Sequence, residues 1–386
     1  MRFLHTSDWH LGRAFHRVGL LDAQRAFIDH LIATVRDKQA DALLVSGDIY
    51  DRAVPPLPAV ELFDETLHRL AGLGIPVIMI SGNHDSPRRL GVGAGLLERS
   101  NIHLRTDPES CGEPVLLHDA HGGIAVYPLP YLEPALVRER LGAERPGHTE
   151  VLAAAMRRVR RDLAARPAGT RSVVLAHAFV TGGEESDSER DITAGGAASV
   201  PRTLFDGVDY VALGHLHGAQ ALTERIRYSG SPLAYSFSET GHRKSLWLIG
   251  LGPGGRIEQD ERLDCPVPRP LARLRGTLDH LLTDPALEEC REHWVEATLT
   301  DPGRPPDPMA RLGERFPHLL SLVFEPRRAA GTPAGPRYGD RLRDRTDQQI
   351  AGDFLRHVRG GREPDPGEGA LLAAALEGAR TQEQQR

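Results

Sequence analysis

Apolar positions along the chain fall into short unbroken runs separated by longer amphipathic stretches. Residues 2–6, 42–46, 77–81, 172–176 and 209–213 are such runs, the pattern of strands buried on both faces. Between the first two, Leu20, Phe27, Ile28, Leu31, Ile32 and Val35 share one helical stripe, which predicts a helix over about 20–38. Residues 57–72 and 87–99 predict two more helices, and the alternation implies an α/β sandwich. After 209 the texture changes. Strand-like segments near 226–228, 245–250 and 256–262 are separated by turn residues, so the layer is expected to finish in antiparallel strands.

Cys265-Pro-Val-Pro-Arg-Pro270 marks a boundary. Beyond it the pattern predicts a small α/β unit: a helix near 271–283, a strand near 294–300, a helix near 308–315 and a strand near 319–324. Residues 328–339 are rich in Ala, Gly and Pro and suit a linker. Two helices are expected over 341–359 and 367–379, with apolar stripes Ile350, Phe354, Leu355, Val358 and Leu371, Leu372, Leu376. The expected division is 1–264, 265–327, a linker at 328–340 and a helical arm at 341–386. A chain of 386 residues is long enough for several domains.

Composition narrows the partners. The net charge of -6 carries no global basic excess, so a nucleic-acid partner would need a local basic stripe. Three cysteines without paired spacing argue against a disulfide framework or a thiolate zinc site. No signal-type segment precedes the first strand and no apolar run approaches a membrane span. The expectation is a cytoplasmic protein with no membrane contact.

The chemistry lies just past the strands. Asp8-Trp-His10 follows the first, Gly47-Asp48 the second and Gly82-Asn-His-Asp85 the third; His177 and Gly214-His-Leu-His217 follow the last two. Open α/β sheets place ligands at the carboxyl ends of their strands. In extended backbone, Asp8 and His10 would point the same way, as would His215 and His217. Carboxylates, imidazoles and one amide suit divalent metals such as Mn²⁺. Seven donors (Asp8, His10, Asp48, Asn83, His177, His215 and His217) are too many for one ion and enough for two, with Asp48 bridging. Two metals can clamp an in-line phosphoryl displacement. His84 is left free to protonate the leaving oxygen, with Asp85 expected to fix its tautomer. A lone Asp-X-His or Gly-His-X-His is usually an ordinary surface pair; the joint occurrence carries the reading.

These strings resemble the calcineurin-like metallophosphoesterases. Thr6-Ser-Asp-Trp-His-Leu-Gly12, Val45-Ser-Gly-Asp-Ile-Tyr-Asp51 and Ile80-Ser-Gly-Asn-His-Asp-Ser86 resemble more narrowly the SbcD-type nuclease subunits, as do His177-Ala-Phe and Gly214-His-Leu-His217. The resemblance implies a four-layer α/β/β/α sandwich with a small α/β capping domain and a C-terminal helical arm. It places one metal with Asp8, His10, Asp48 and His217 and the other with Asp48, Asn83, His177 and His215, the ions being Mn²⁺ or Mg²⁺. His84 would be the catalytic histidine. Asp51 stands where some relatives carry a second functional histidine, which puts the transfer of that role in question.

The implied activity is that of a double-strand exonuclease with 3'-5' polarity and a single-strand or hairpin endonuclease, serving DNA repair, recombination and replication. The implied partners are DNA, an SbcC-type ATPase with a coiled coil docked on the arm, and a second copy of the chain in a 2:2 complex, paired through the helices at 57–72 and 87–99. The chain lacks a Walker A motif, so ATP use would rest with the partner. Arg13, Arg17, Arg88 and Arg89 flank the candidate site and would meet DNA phosphates. The rivals are a nucleotide or small-molecule metallophosphodiesterase and a non-catalytic DNA-end scaffold.

Overall fold

The computed structural model describes residues 1–189, 192, 199–326, 345–358 and 364–383. Two six-stranded sheets dominate it. The first runs in the order Ile257–Asp264, Ser245–Leu251, Arg2–Thr6, Ala42–Ser46, Val77–Ile80, Ile102–Arg105. Arg2–Thr6 and the three strands beyond it are parallel, whereas Ser245–Leu251 and Ile257–Asp264 are antiparallel additions, as expected. The second runs Gln220–Ala221, Ile226–Tyr228, Tyr210–Gly214, Arg171–His177, Gly122–Leu129, Val115–Asp119. Its four central strands are parallel.

Strand alternation explains the layering. Ala42 and Leu44 turn into a core shared by the two sheets, with Ile78, Ile80, Val173 and Leu175. Leu43 and Val45 turn the other way, onto helices Leu21–Asp37 and Leu57–Ala71 through Phe27, Ile28, Leu31, Leu62 and Phe63. Helices Pro134–Leu141 and His148–Ala164 cover the second sheet through Val137, Val151, Leu152 and Met156. Each such side chain removed from water contributes about 1.5–3 kcal/mol. The result is an α/β/β/α sandwich. His5 sits between its sheets, with Nδ1 2.9 Å from the Tyr210 hydroxyl; burial pushes its pKa down to about 3, so it is a neutral structural group.

Several expectations need correcting. The helix expected over 87–99 is two short ones, Pro87–Leu90 and Ala94–Leu97, because Gly93 takes φ +77° between them. Leu62, Phe63, Leu70 and Leu90, open in the sequence to a dimer contact or to packing on the sheet, are buried in the chain's own core. Leu96, on the second of these short helices, is exposed, as are Val54, Leu57, Val60 and Val92. The helix expected at 271–283 is a strand, Leu271–Gly276, followed by a short helix, Leu278–Thr283. Leu-Ala-Arg-Leu-Arg fits both periods, and parallel pairing with Trp294–Leu299 selects the strand.

That strand opens a three-stranded parallel sheet, completed by Trp294–Leu299 and Leu319–Phe324 and carrying its own core. Leu271, Trp294 and Leu320 pack on Phe15, Leu233, Tyr235 and Phe237 of the larger layer. Met1–Glu325 accordingly forms one compact unit, and the expected boundary at 264/265 runs inside it. The second unit is Pro326–Arg386. Its helices are Asp347–Val358 and Pro366–Glu383, with Phe354 60% and Leu371 73% exposed. The linker expected at 328–340 and the side chain of Val358 lie outside the described residues.

Candidate metal centre

All five ligand-bearing loops leave the same ends of the parallel strands. The first loop lies along the second: Asp8 N–H donates to the Gly47 carbonyl (3.0 Å), His10 N–H to that of Asp48 (3.0 Å) and Leu11 N–H to that of Ile49 (2.9 Å). Asp8 (φ +54°), His10 (+45°), Asp48 (+50°) and His215 (+107°) occupy the left-handed half of backbone space. The extended-backbone reason for Asp8 and His10 facing together is therefore wrong: a tight turn brings them together. Such residues cost of order 1–3 kcal/mol each and persist where the surroundings impose them. Gly82 shows the crowding, since a Cβ there would lie 2.1 Å from Asp48 Oδ1.

The seven expected donors do converge. Ligating atoms of Asp8, His10 and His217 lie within 4.8 Å of one another, as do those of Asp8, Asp48 and His177 and of His10, Asp48 and His84. His10 Nε2 is 3.0 Å from His217 Nε2 and 3.6 Å from Asp48 Oδ2. On the other side, His177 Nε2 is 2.8 Å from Asn83 Oδ1 and 3.5 Å from Asp48 Oδ2, and His215 Nδ1 is 3.3 Å from Asn83 Oδ1. Asp48 thus lies between two groups of donors. Asp8, His10, Asp48, His177, His215 and His217 are buried.

Hydrogen-bond accounting tests whether cations fit. His177 Nδ1 faces the Ser46 carbonyl at 2.9 Å, an acceptor, so Nδ1 carries the ring proton. Its Nε2 lone pair then faces two oxygens. His10 Nε2 and His217 Nε2 likewise face each other at 3.0 Å, with Asp48 Oδ2 3.6 Å from the first. Converging lone pairs in a buried site are costly by themselves and are what a divalent cation requires. The residues present therefore fit a metal pair.

The charge states agree. Burial, then the neighbouring charge of Asp48, holds the Asp8 carboxyl well above the usual carboxylate range. Burial is also the main cause that depresses His10, His177 and His215. In the metal-free centre the Asp8 carboxyl is therefore biased towards its protonated form, and the His10, His177 and His215 rings towards their neutral form. A divalent cation favours the ionised carboxylate, so Mn²⁺ binding is expected to release protons and to tighten as pH rises through the elevated Asp8 range. Calorimetry in two buffers of different ionisation enthalpy measures the release; observed heats that do not change with the buffer would refute this charge assignment.

His84 and Asp85 part company. His84 Nδ1 bonds the Asp51 carbonyl at 2.6 Å, and its Nε2 lies 4.0 Å from Asp48 Oδ2. Asp85 does not hold His84. Its carboxylate accepts from the backbone N–H groups of Ile49 (3.1 Å), Tyr50 (2.9 Å) and Gly82 (2.9 Å) and ties the second and third loops together. The tautomer-fixing role expected of Asp85 falls to the Asp51 backbone, while the Asp51 side chain stands 3.9 Å from His10 Nδ1 and 3.6 Å from Arg13 Nε.

Arg13 is also reassigned. Its guanidinium donates to the Ser188 carbonyl (2.9 Å) and lies 4.8 Å from the centre of the Tyr235 ring, an internal strut. Arg17 is exposed at the turn of the hairpin Ala14–Phe15/Val18–Gly19, and Arg88 and Arg89 are exposed on their short helix.

Sequence reasoning missed the residues behind His217. Its backbone N–H donates to Glu189 Oε1 (2.7 Å), and its carbonyl accepts from Lys244 Nζ (3.0 Å). Gln24 Nε2 similarly donates to the His10 carbonyl at 2.7 Å. The polar run Ser186-Asp-Ser-Glu189 was a weak signal; Gln24 and Lys244 carry none, being single residues on unrelated segments.

Comparison with known proteins agrees with this geometry. The profile of the calcineurin-like phosphoesterases matches residues 1–219. A second profile, SbcD_C, described as the type 5 capsule protein repressor C-terminal domain, matches 267–359. Similar solved structures include the protein TT1561 of Thermus thermophilus (12% identity, 68% of this chain and 98% of that one, TM-score 0.40). Another is a dimetal phosphatase from Danio rerio (10% identity, 69% and 99%, TM-score 0.37). Likenesses this distant carry no functional weight. With the first profile spanning more than half of its length, the chain belongs to the calcineurin-like phosphoesterase family.

Proposed function

We propose that this chain is the two-metal nuclease subunit of an SbcCD-type complex, cutting DNA phosphodiesters as a 3'-5' double-strand exonuclease and as a single-strand or hairpin endonuclease. The convergence of six further donors around Asp48 carries the phosphoesterase half of this reading. The DNA half is supported by the C-terminal match at 267–359 together with the narrow motif strings of the first three loops.

Asp8, His10, Asp48 and His217 would hold one Mn²⁺ or Mg²⁺, and Asp48, Asn83, His177 and His215 the other. The pair supplies Lewis-acid polarisation of the phosphoester and a nucleophile at neutral pH. The chain's own residues do the rest. The Asp51 carbonyl accepts from His84 Nδ1–H, which fixes the ring plane and leaves Nε2 to face the scissile phosphate. There it can donate to a phosphoryl oxygen or to the leaving oxygen. Buried walls around the ligands exclude bulk water and strengthen these contacts.

Arg17, Arg88 and Arg89 are exposed and would neutralise backbone phosphates. The unit at 265–327 would cap the duplex path. The arm at 341–386 would dock an SbcC-type ATPase through exposed Phe354 and Leu371. A second copy would pair through the exposed residues near Val54, Leu57 and Leu96. Work in repair, recombination and replication, in the cytoplasm at the nucleoid, follows from that activity. No helix among the described residues is long and apolar enough to cross a membrane.

The test is a Mn²⁺ nuclease assay on end-labelled duplex and hairpin DNA, with and without the ATPase partner, beside a model phosphodiester. Cleavage of both DNA forms is expected. Hydrolysis of the model ester with intact DNA in every arm would reject the DNA reading in favour of a small-molecule phosphodiesterase.

A further inference from the structure

Behind His217 lies a buried polar chain drawn from three distant segments. Ser188 Oγ is 2.6 Å from His217 Nδ1 and 2.6 Å from Glu239 Oε1. Glu239 has no exposed side-chain surface; it also accepts from the Tyr235 backbone N–H (3.0 Å) and forms an ion pair with Lys244. Lys244 Nζ donates in turn to Ser231 Oγ (2.9 Å) and to the His217 carbonyl (3.0 Å).

Counting protons gives the chain a direction. A backbone N–H and an ammonium can only donate, so Glu239 is an acceptor on every side. Ser188 has one hydroxyl proton, and the carboxylate at 2.6 Å takes it. Ser186, 2.9 Å from Ser188 Oγ, directs its own proton to Glu189 Oε2 at 2.6 Å. Ser188 Oγ can then only accept from His217, so the ring proton sits on Nδ1. The Nε2 lone pair is left facing His10 Nε2 at 3.0 Å. A ligating imidazole needs this arrangement, in which an outer partner fixes its tautomer and ring plane.

We propose that Glu239, acting through Ser188 and compensated by Lys244, is a positioning residue that fixes the proton and ring orientation of His217. This rests on the reading of His217 as a metal ligand. The burial of four polar groups behind one ring otherwise has no return, since a buried ion pair is at best weakly stabilising.

The test uses the full chain with ¹⁵N-labelled histidine. The metal-free protein is compared as wild type, Ser188→Ala, Ser188→Thr and the charge-balanced pair Glu239→Leu with Lys244→Met; His217→Gln identifies the resonances. The ring tautomer is read from ¹⁵N shifts, Mn²⁺ binding from equilibrium dialysis and folding from the melting curve. The wild type should hold Nδ1–H and bind two Mn²⁺. Ser188→Ala should lose the Nδ1–H preference and weaken one of the two Mn²⁺ sites by about 10–100-fold. Ser188→Thr, which keeps the hydroxyl, should restore both. If Ser188→Ala fails to fold, the paired variant carries the same readouts. Retention of Nδ1–H and of both affinities in a folded variant overturns the proposal. A wild type that holds Nδ1–H through Ser188 yet binds no Mn²⁺ keeps the relay and rejects the ligand reading instead.

Discussion

Replacing His84 by Gln is expected to lower phosphodiester hydrolysis by about 10²–10⁴-fold while both Mn²⁺ ions remain bound. His84 is the one histidine of the centre whose ring reaches the opening, with its side chain 14% exposed against 2% for Asp48 and none for His10. Its Nε2 is 4.0 Å from Asp48 Oδ2, farther than the His10 and His177 nitrogens at 3.6 and 3.5 Å. Gln retains polarity and length but cannot carry a transferable proton. The checks are Mn²⁺ content by elemental analysis and turnover of both a model diester and DNA. Activity within a few-fold of wild type would remove His84 from the mechanism, and loss of one metal would make it a ligand.

Asp48→Asn should produce two opposite stability effects. Asn retains the oxygen that accepts from the His84 backbone N–H at 2.9 Å but loses the charge needed between the two donor groups. Metal binding should therefore fail, and with it the stabilisation that saturating metal supplies, about 2.7 kcal/mol per site at one hundred times its Kd. In the metal-free protein the sign reverses. The Asp8 carboxyl is raised by burial and by the Asp48 charge. A carboxyl whose folded pKa is raised loses stability as pH climbs from its unfolded value through its folded one. Removing the Asp48 charge should return part of it, about 1–2 kcal/mol, or roughly 2–4 °C in Tm. Melting at pH 8 with and without Mn²⁺ reads both effects. A metal-dependent shift equal to that of the wild type would show that Asp48 is not shared between ions.

The apolar runs at 2–6, 42–46 and 77–81 predicted their strands because a strand buried on both faces has no polar alternative. The ligand set was equally legible. A carboxylate or imidazole just past a buried strand, beside glycines that let loops approach closely, is a local pattern in which few other roles fit. Gly82 against Asp48 is the clearest instance. Where two periods fit the same residues, as at Leu271–Gly276, sequence pattern alone could not decide and the neighbouring strand did.

By itself, then, the sequence determined the α/β layering and the seven candidate donors, since both follow from residue types within a few positions of one another. Only the tertiary structure decided what each flanking polar group faces. It turned Asp85 onto three backbone N–H groups, assigned His84 to the Asp51 carbonyl and tied Arg13 to Ser188. It also set Ser188 between His217 and Glu239, which lie 29 and 51 residues further along the chain. A buried hydrogen bond depends on which distant segment supplies its partner, and no local pattern carries that information.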